Sequence, residues 1–302
     1  MKKLVVGFDG SDQARDALQL AEVLRASAGG EMLITVVDEV DPLLSDVRAL
    51  DQTRDEFFES MFEAASAELG HSDFTRRTAA DSVPAALDHI AEADEADAIV
   101  VGSTHRGKLG RVLPGSIGDR LLAGSPCAVV VAPGGYRDRE RPSVALVGIG
   151  YDGQHESKAA LEEAVDLARS FDATLRIITV EPTLAQLAPE RGGHVNPGYT
   201  RALHDHFAEQ LEEAVSSCRG RVDVESALKE GDPGATLADQ TVELDLLVLG
   251  SRGYGPVRRV LLGGVASKVM SLAACPVVVT PKSAKHHRAE SDAEDAAEPA
   301  LN

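Results

Sequence analysis

Cysteine is scarce: Cys127, Cys218 and Cys275 are the only three in 302 residues. Cys127 and Cys275 stand just before matching runs, Val129-Val130-Val131 and Val277-Val278-Val279, where a small apolar thiol reads as a core residue. A reducing compartment is implied. Basic residues are outnumbered, 30 Lys and Arg against 49 Asp and Glu, for a formal net charge of -19 and a pI near 4.8. Phosphate backbones would be repelled over most of such a surface, so general nucleic-acid binding is excluded. No apolar run approaches the ~20 residues of a membrane span. Met1-Lys2-Lys3 leads straight into Leu4-Val5-Val6-Gly7 without the apolar core of a signal peptide, so the expectation is a cytoplasmic chain with no membrane partner. Also missing is any Gly-Lys-Ser or Gly-Lys-Thr triplet to supply the phosphate lysine and magnesium hydroxyl of a Walker loop, which argues against efficient ATP hydrolysis. No Ser-His-Asp or Cys-His arrangement stands out, and His286-His287 lacks a defined third metal ligand.

What the chain does have is a repeat. Val6-Gly7-Phe8-Asp9-Gly10 is answered by Ile149-Gly150-Tyr151-Asp152-Gly153, Ile34-Thr35-Val36 by Ile178-Thr179-Val180, and Asp97 to Ser103 by Asp245 to Ser251, at offsets of 143, 144 and 148 residues. Two domains of one design follow: residues 1–133 and 143–281, joined by a polar Gly- and Pro-containing linker, 134–142. The end, 282–302, is rich in Ala, Glu and Asp and poor in large apolar residues, the composition of a disordered acidic tail.

Within the first half, apolar runs predict strands over 4–8, 32–37, 98–101 and 128–132, with a poor third strand over 74–78. Helical spacing predicts helices over 11–28, 50–69, 84–93 and 116–123. Such alternation implies right-handed crossovers and a parallel sheet covered on both faces, an α/β fold repeated in tandem. Ligands on these sheets sit at the carboxyl ends of the strands where the strand order reverses. If strands one and four are neighbours, the turn at Asp9-Gly10-Ser11 and the loop from Gly102 to Ser116 share one crevice, as do Asp152-Gly153 and the loop from Gly250 to Gly264.

Those loops suit an anionic ligand. Glycine-rich backbone between a strand and a helix brings N–H groups close to phosphate. The stretch from Gly250 to Pro281 has no acid but carries Arg252, Arg258, Arg259 and Lys268, and Ser103 to Gly118 carries His105, Arg106, Lys108 and Arg111 without one. In an acidic chain these are local reversals that suit a polyphosphate. Ser116, at the start of a helix, can cap it and also donate to a phosphate oxygen. Asp9 and Asp152 can accept from ribose hydroxyls or face a metal ion on the phosphates, the alternative being a turn-forming Asp before Gly. Val36 and Val180 can present backbone groups to a base edge, with ordinary burial the alternative.

Both halves resemble the universal stress protein family, whose ATP-binding members show Gly, two residues, Gly, nine residues, Gly, then Ser or Thr. Gly250, Gly253 and Gly263 fit, with Gly264 at the hydroxyl position; Gly102, Gly115 and Ser116 fit, with His105 at the second glycine position. The resemblance implies the adenine-nucleotide α-hydrolase-like fold, a five-stranded parallel sheet in each half, and ATP, with Mg2+ as an optional companion, between the first aspartate and the glycine loop. It implies a first site of Gly7, Asp9, Val36, Val101, Gly102, His105, Gly115, Ser116 and Ile117. The second site is Gly150, Asp152, Val180, Leu249, Gly250, Gly253, Gly263, Gly264 and Val265. Family members pair through their last strands, so 128–132 and 277–280 are expected to form a pseudo-dimer within the chain that is open to further homo-oligomerisation. The implied function is an ATP-binding sensor or regulator in a stress response with at most slow turnover. The alternatives are a nucleotide-independent interaction module and an adenylating or phosphotransfer enzyme of the same fold group; ATP, ADP, AMP and a cyclic nucleotide all remain open as ligand.

Overall fold

Short β-branched runs become strands and the Ala- and Leu-rich stretches between them become helices. The computed structural model describes residues 1–38, 51–104, 110–139, 143–183, 197–251 and 262–281. The first half runs β1 (Lys3–Gly7), α1 (Asp12–Ala28), β2 (Glu31–Val37), α2 (Asp51–Leu69), β3 (Thr75–Ala79), α3 (Val83–Ala93), β4 (Ala98–Gly102), α4 (Ser116–Leu121) and β5 (Ala128–Ala132). The second runs β6 (Leu146–Gly150), α5 (His155–Phe171), β7 (Thr174–Glu181), α6 (Pro197–Cys218), β8 (Val224–Glu230), α7 (Pro233–Gln240), β9 (Leu246–Gly250), α8 (Gly264–Leu272) and β10 (Val277–Thr280). Local chemistry sets the helix ends: Ser11 caps α1 by accepting the Ala14 N–H, and Gly29 ends it in the left-handed region at φ 60.

All ten strands form one sheet in the order β3-β2-β1-β4-β5-β10-β9-β6-β7-β8. Pairing is parallel within each half, and the halves join through β5 and β10, which run antiparallel with Val131 opposite Val277, Val130 opposite Val278 and Val129 opposite Val279. The internal pairing expected of the last strands is therefore formed. Neither valine strand presents an open apolar edge, and the outer strands β3 and β8 carry exposed polar and charged residues instead. One apolar layer packs α1, α2, α5 and α6 on one face of the sheet; the other packs α3, α4, α7 and α8 on the opposite face. The halves also touch between α1 and α5, where the Ser27 and Ser170 hydroxyls lie 3.4 Å apart.

Residues 134–139, expected as a polar linker, are packed into the fold. Tyr136 is 2% exposed, and the carboxylate of Asp16 on α1, itself 3% exposed, accepts the N–H groups of Gly135 (2.7 Å) and Arg137 (3.0 Å). A buried carboxylate inside an otherwise apolar helix face is sustained by those two backbone donors. The expected tail, 282–302, and the linker residues 140–142 lie outside the described residues. All three cysteines are buried, and burial pushes the Cys127 and Cys275 thiols up to about 12, so they are inert core thiols at neutral pH. Among the described residues no helix is long and apolar enough to cross a membrane.

The edge strand β3 is tied to the end of α3 by Arg77, whose Nη2 and Nε donate to the two Asp94 oxygens at 2.7 and 2.9 Å. That hydrogen-bonded pair holds the Asp94 carboxyl below its ordinary 3.8. A depressed carboxylate pKa adds stability that is fully present above the unfolded value and is lost as pH falls through the lower folded value. Asp94→Asn is thus expected to lower the urea midpoint at neutral pH, with the difference from wild type shrinking as pH drops below 3.8.

Candidate nucleotide site in each half

The sheet order reverses between β1 and β4, which are parallel neighbours, and between β6 and β9. A crevice opens at the carboxyl ends of such a strand pair because the chain leaves the two strands in opposite directions. The turn after β1 enters it. Gly10 takes φ 75, and Asp9 Oδ1 accepts the Ser11 N–H at 2.9 Å. The second half repeats this: Gly153 takes φ 72, and Asp152 Oδ1 accepts the Gln154 N–H at 3.1 Å. Both aspartates are exposed, and in each the second carboxylate oxygen has no hydrogen-bond partner among the described residues.

Glycines at the strand ends bring the opposing walls together. A Cβ on Gly102 would stand 2.1 Å from the Gln13 carbonyl oxygen, and one on Gly250 2.6 Å from that of Glu156. No side chain fits, because the starts of α1 and α5 lie directly on these residues. Gly7 and Gly150 are likewise close to packed leucines, Leu87 at 3.2 Å and Leu249 at 2.9 Å. The physical role of these four glycines is close packing, and at Gly102 and Gly250 it sets the starts of α1 and α5 against the ends of β4 and β9.

In the first half that loop is closed at its base. Ser103 pairs with Pro114, its hydroxyl donates to the Ala132 carbonyl (2.6 Å) and accepts the Leu113 N–H (3.2 Å), and the Thr104 N–H reaches the Leu113 carbonyl (2.7 Å). This delivers Gly115 to the N-cap of α4 at φ -86. The expectation that Ser116 caps α4 is corrected: Ser116 is the first helical residue, exposed, and no side chain caps the helix. Gly263 caps α8 in the same way, Gly264 is its exposed first residue, and a Cβ at Gly264 would meet nothing within 4 Å. Among the described residues no side chain caps either helix start, which leaves first-turn N–H groups free of a side-chain acceptor. An anionic group with hydroxyls, such as the nucleotide that the sequence implies, suits these features: helix starts without a side-chain cap, and in the same half an exposed aspartate after the strand where the order reverses.

Other expected residues fall differently. Val101 and Leu249 are buried, and Ile117 and Val265 pack against the same apolar layer, so only their backbones can face a ligand. His105 and Gly253 lie outside the described residues, as do Arg106, Lys108, Arg252, Arg258 and Arg259. The two described members of the basic groups are engaged elsewhere: Arg111 donates to the Leu272 carbonyl, and Lys268 pairs with Asp232 at 2.8 Å.

The matching of Val36 with Val180 also shifts. Gly7 pairs with Thr35 and Gly150 with Ile178, so β2 and β7 are related by 143 residues, and the counterpart of Val36 is Thr179 while that of Val180 is Val37. Val36 is accordingly buried in the layer packed by α1 and α2; at the equivalent place in the second half Thr179 donates its hydroxyl to the Tyr151 carbonyl (3.0 Å), and Val180 packs on the opposite face.

One feature was missed from sequence. At the end of β2, Asp38 accepts from Arg54 Nε of α2 at 2.8 Å; at the same place in the second half, Glu181 faces His204 of α6 at 3.0 Å. Each pair ties the strand end to the following helix. The signal was available, since the two acids are themselves 143 residues apart.

Comparison with known proteins agrees with this fold. A model of the universal stress protein family matches residues 1–133 and 146–281. A universal stress protein of Mycobacterium tuberculosis is 31% identical over 206 residues, 66% of this chain and 69% of the relative. The crystal structure of a universal stress protein from Archaeoglobus fulgidus superposes with a TM-score of 0.68 at 19% identity, covering 93% of this chain and 98% of that one. A putative universal stress protein from Pseudomonas aeruginosa gives 0.62 at 16% identity, over 97% and 98%. At these identities the two structures speak for the fold.

Proposed function

The chain belongs to the universal stress protein family, and from that premise we propose that it binds ATP in both halves and acts as a nucleotide-dependent sensor or regulator in a stress response. The observation that supports this is the recurrence, in both halves, of an exposed aspartate turn after the strand where the order reverses and of a helix whose N-cap glycine leaves its start without a side-chain cap. In this reading Asp9 and Asp152 accept from the ribose hydroxyls. The N–H groups at 115–117 and 263–265 hold the phosphates, and Mg2+ travels with them. The base edge lies against backbone at the ends of β2 and β7. Residues 1–133 and 143–281 each form one nucleotide-binding unit, and their union through β5 and β10 serves as a built-in dimer that can pair again. Hydrolysis, where measured, is expected to be slow.

A second reading, a nucleotide-independent interaction module, is favoured by one observation: the first glycine loop is itself used in packing, its Val112 N–H donating to the Ala273 carbonyl of the other half at 2.8 Å. Calorimetric titration of nucleotide-stripped chain separates the two. About two ATP per chain, falling by one in Gly115→Val and again in Gly263→Val, supports binding in both halves. No heat at millimolar ATP leaves the interaction module. Gly115→Val is a fair probe because Gly115 has an extended φ of -86 and its Cβ would meet only Thr104, at 3.5 Å.

A further inference from the structure

The two sites meet on one helix. At the carboxyl end of α8 the Leu272 carbonyl, which has no partner within the helix, is taken by the Arg111 guanidinium, and the two carbonyls that follow the helix, Ala273 O and Ala274 O, are taken by the Val112 N–H (2.8 Å) and by Arg139 Nη2 (2.9 Å), all from outside the second half's own fold. Arg111 and Val112 belong to the segment that leads into Gly115, and the same segment is held on its other side by Gly110 N–H to Gly134 O (2.8 Å) and by the Ser103–Pro114 bridge. The opposite end of α8 is the uncapped start at Gly263-Gly264. A single nine-residue helix therefore has one terminus at the second site and the other beneath the first.

We infer that α8 couples the two sites, so that ATP bound in the second half tightens ATP binding in the first and, by linkage, the reverse. This inference rests on the two-site reading above. Its sign comes from hydrogen-bond polarisation. An anion accepting from the first-turn N–H groups withdraws their protons, and along a helical chain of hydrogen bonds this raises electron density on the final carbonyl oxygens. The Leu272 oxygen at the end of that chain then holds Arg111 more strongly, which steadies the segment leading to Gly115 and the start of α4. Arg111 acts here as a positioning residue. Its guanidinium reaches across 161 residues of sequence to the other half's helix.

The test is a double-mutant comparison on the full chain, with ATP as the probe and calorimetry as the readout. Gly115→Val and Gly263→Val each leave one working site without adding a charge at the helix start, and together they give the two single-site association constants. Coupling predicts that the overall two-site constant of the wild type exceeds their product by about fivefold. In an Arg111→Met background the excess falls to about onefold, whereas Arg111→Lys, which keeps a donor for the Leu272 carbonyl, retains it. Thermal unfolding of each variant in the absence of ATP verifies that the chain is folded. A wild-type constant equal to the product, with Arg111→Met indistinguishable, overturns the coupling while leaving two independent sites standing. Absence of ATP binding in the wild type overturns the two-site reading, and the coupling with it.

Discussion

Aspartate at position 116 or 264 is expected to weaken ATP binding strongly in its own half while leaving the fold at least as stable. Both positions are exposed first residues of helices, and a Cβ at Gly264 meets nothing within 4 Å. An acid in the first turn complements the helix dipole and adds about 0.3–1 kcal/mol to an exposed helix. The same carboxylate would face a polyphosphate at close range. Even at an effective dielectric of about 20, two like charges 4 Å apart repel by about 4 kcal/mol. Allowing for salt screening, the affinity of the altered half is expected to fall on the order of 100-fold. The unfolding midpoint without ligand should stay level or rise, and the stabilisation conferred by added ATP should fall by half. If these residues serve only to begin helices, the midpoint changes and the response to ATP does not. That outcome would remove the phosphate assignment from both helix starts.

The second large effect is expected at the seam. Val278 is 0% exposed and lies opposite Val130 in the middle of the antiparallel β5–β10 pair. Val278→Asp places a carboxylate inside the apolar layer shared with α1, α2, α5 and α6 with none of the hydrogen-bonding that sustains Asp16, and the expected cost is about 4 kcal/mol or more. Because the seam joins the halves, both should lose stability in one urea transition. Val242→Asp is the matching control: Val242 is 69% exposed, and the change should stay within about 0.5 kcal/mol. A seam variant as stable as this control would show that the halves do not depend on the shared sheet.

Much of this architecture was legible in the sequence, for identifiable reasons. Runs such as Ala128-Val129-Val130-Val131-Ala132 can hardly be anything but strands buried on both faces, and their recurrence in the second half exposed the duplication. Asp9-Gly10 and Asp152-Gly153 were legible as turns because glycine alone takes the positive φ cheaply there. What escaped depends on partners far away in sequence. The Ile-Thr-Val triplets at 34–36 and 178–180 match by identity at 144, but the register is set by hydrogen bonding to β1 and β6, which demands 143. Arg111 reads as part of a basic loop until the carbonyl of Leu272 is brought beside it. Ser116 looks like a cap, yet the bridge between Ser103 and Pro114 puts Gly115 in that position. Asp16 sits among apolar helix residues with no local sign of the two backbone donors that await it at Gly135 and Arg137.

The most direct test of two adenine-nucleotide sites needs no variant. The purified chain is denatured, the released small molecules are identified by chromatography, and the stripped, refolded chain is titrated with ATP. Recovery or uptake approaching two adenine nucleotides per chain, one for each half, is the predicted result. No nucleotide released, and no binding heat at millimolar ATP, would contradict it.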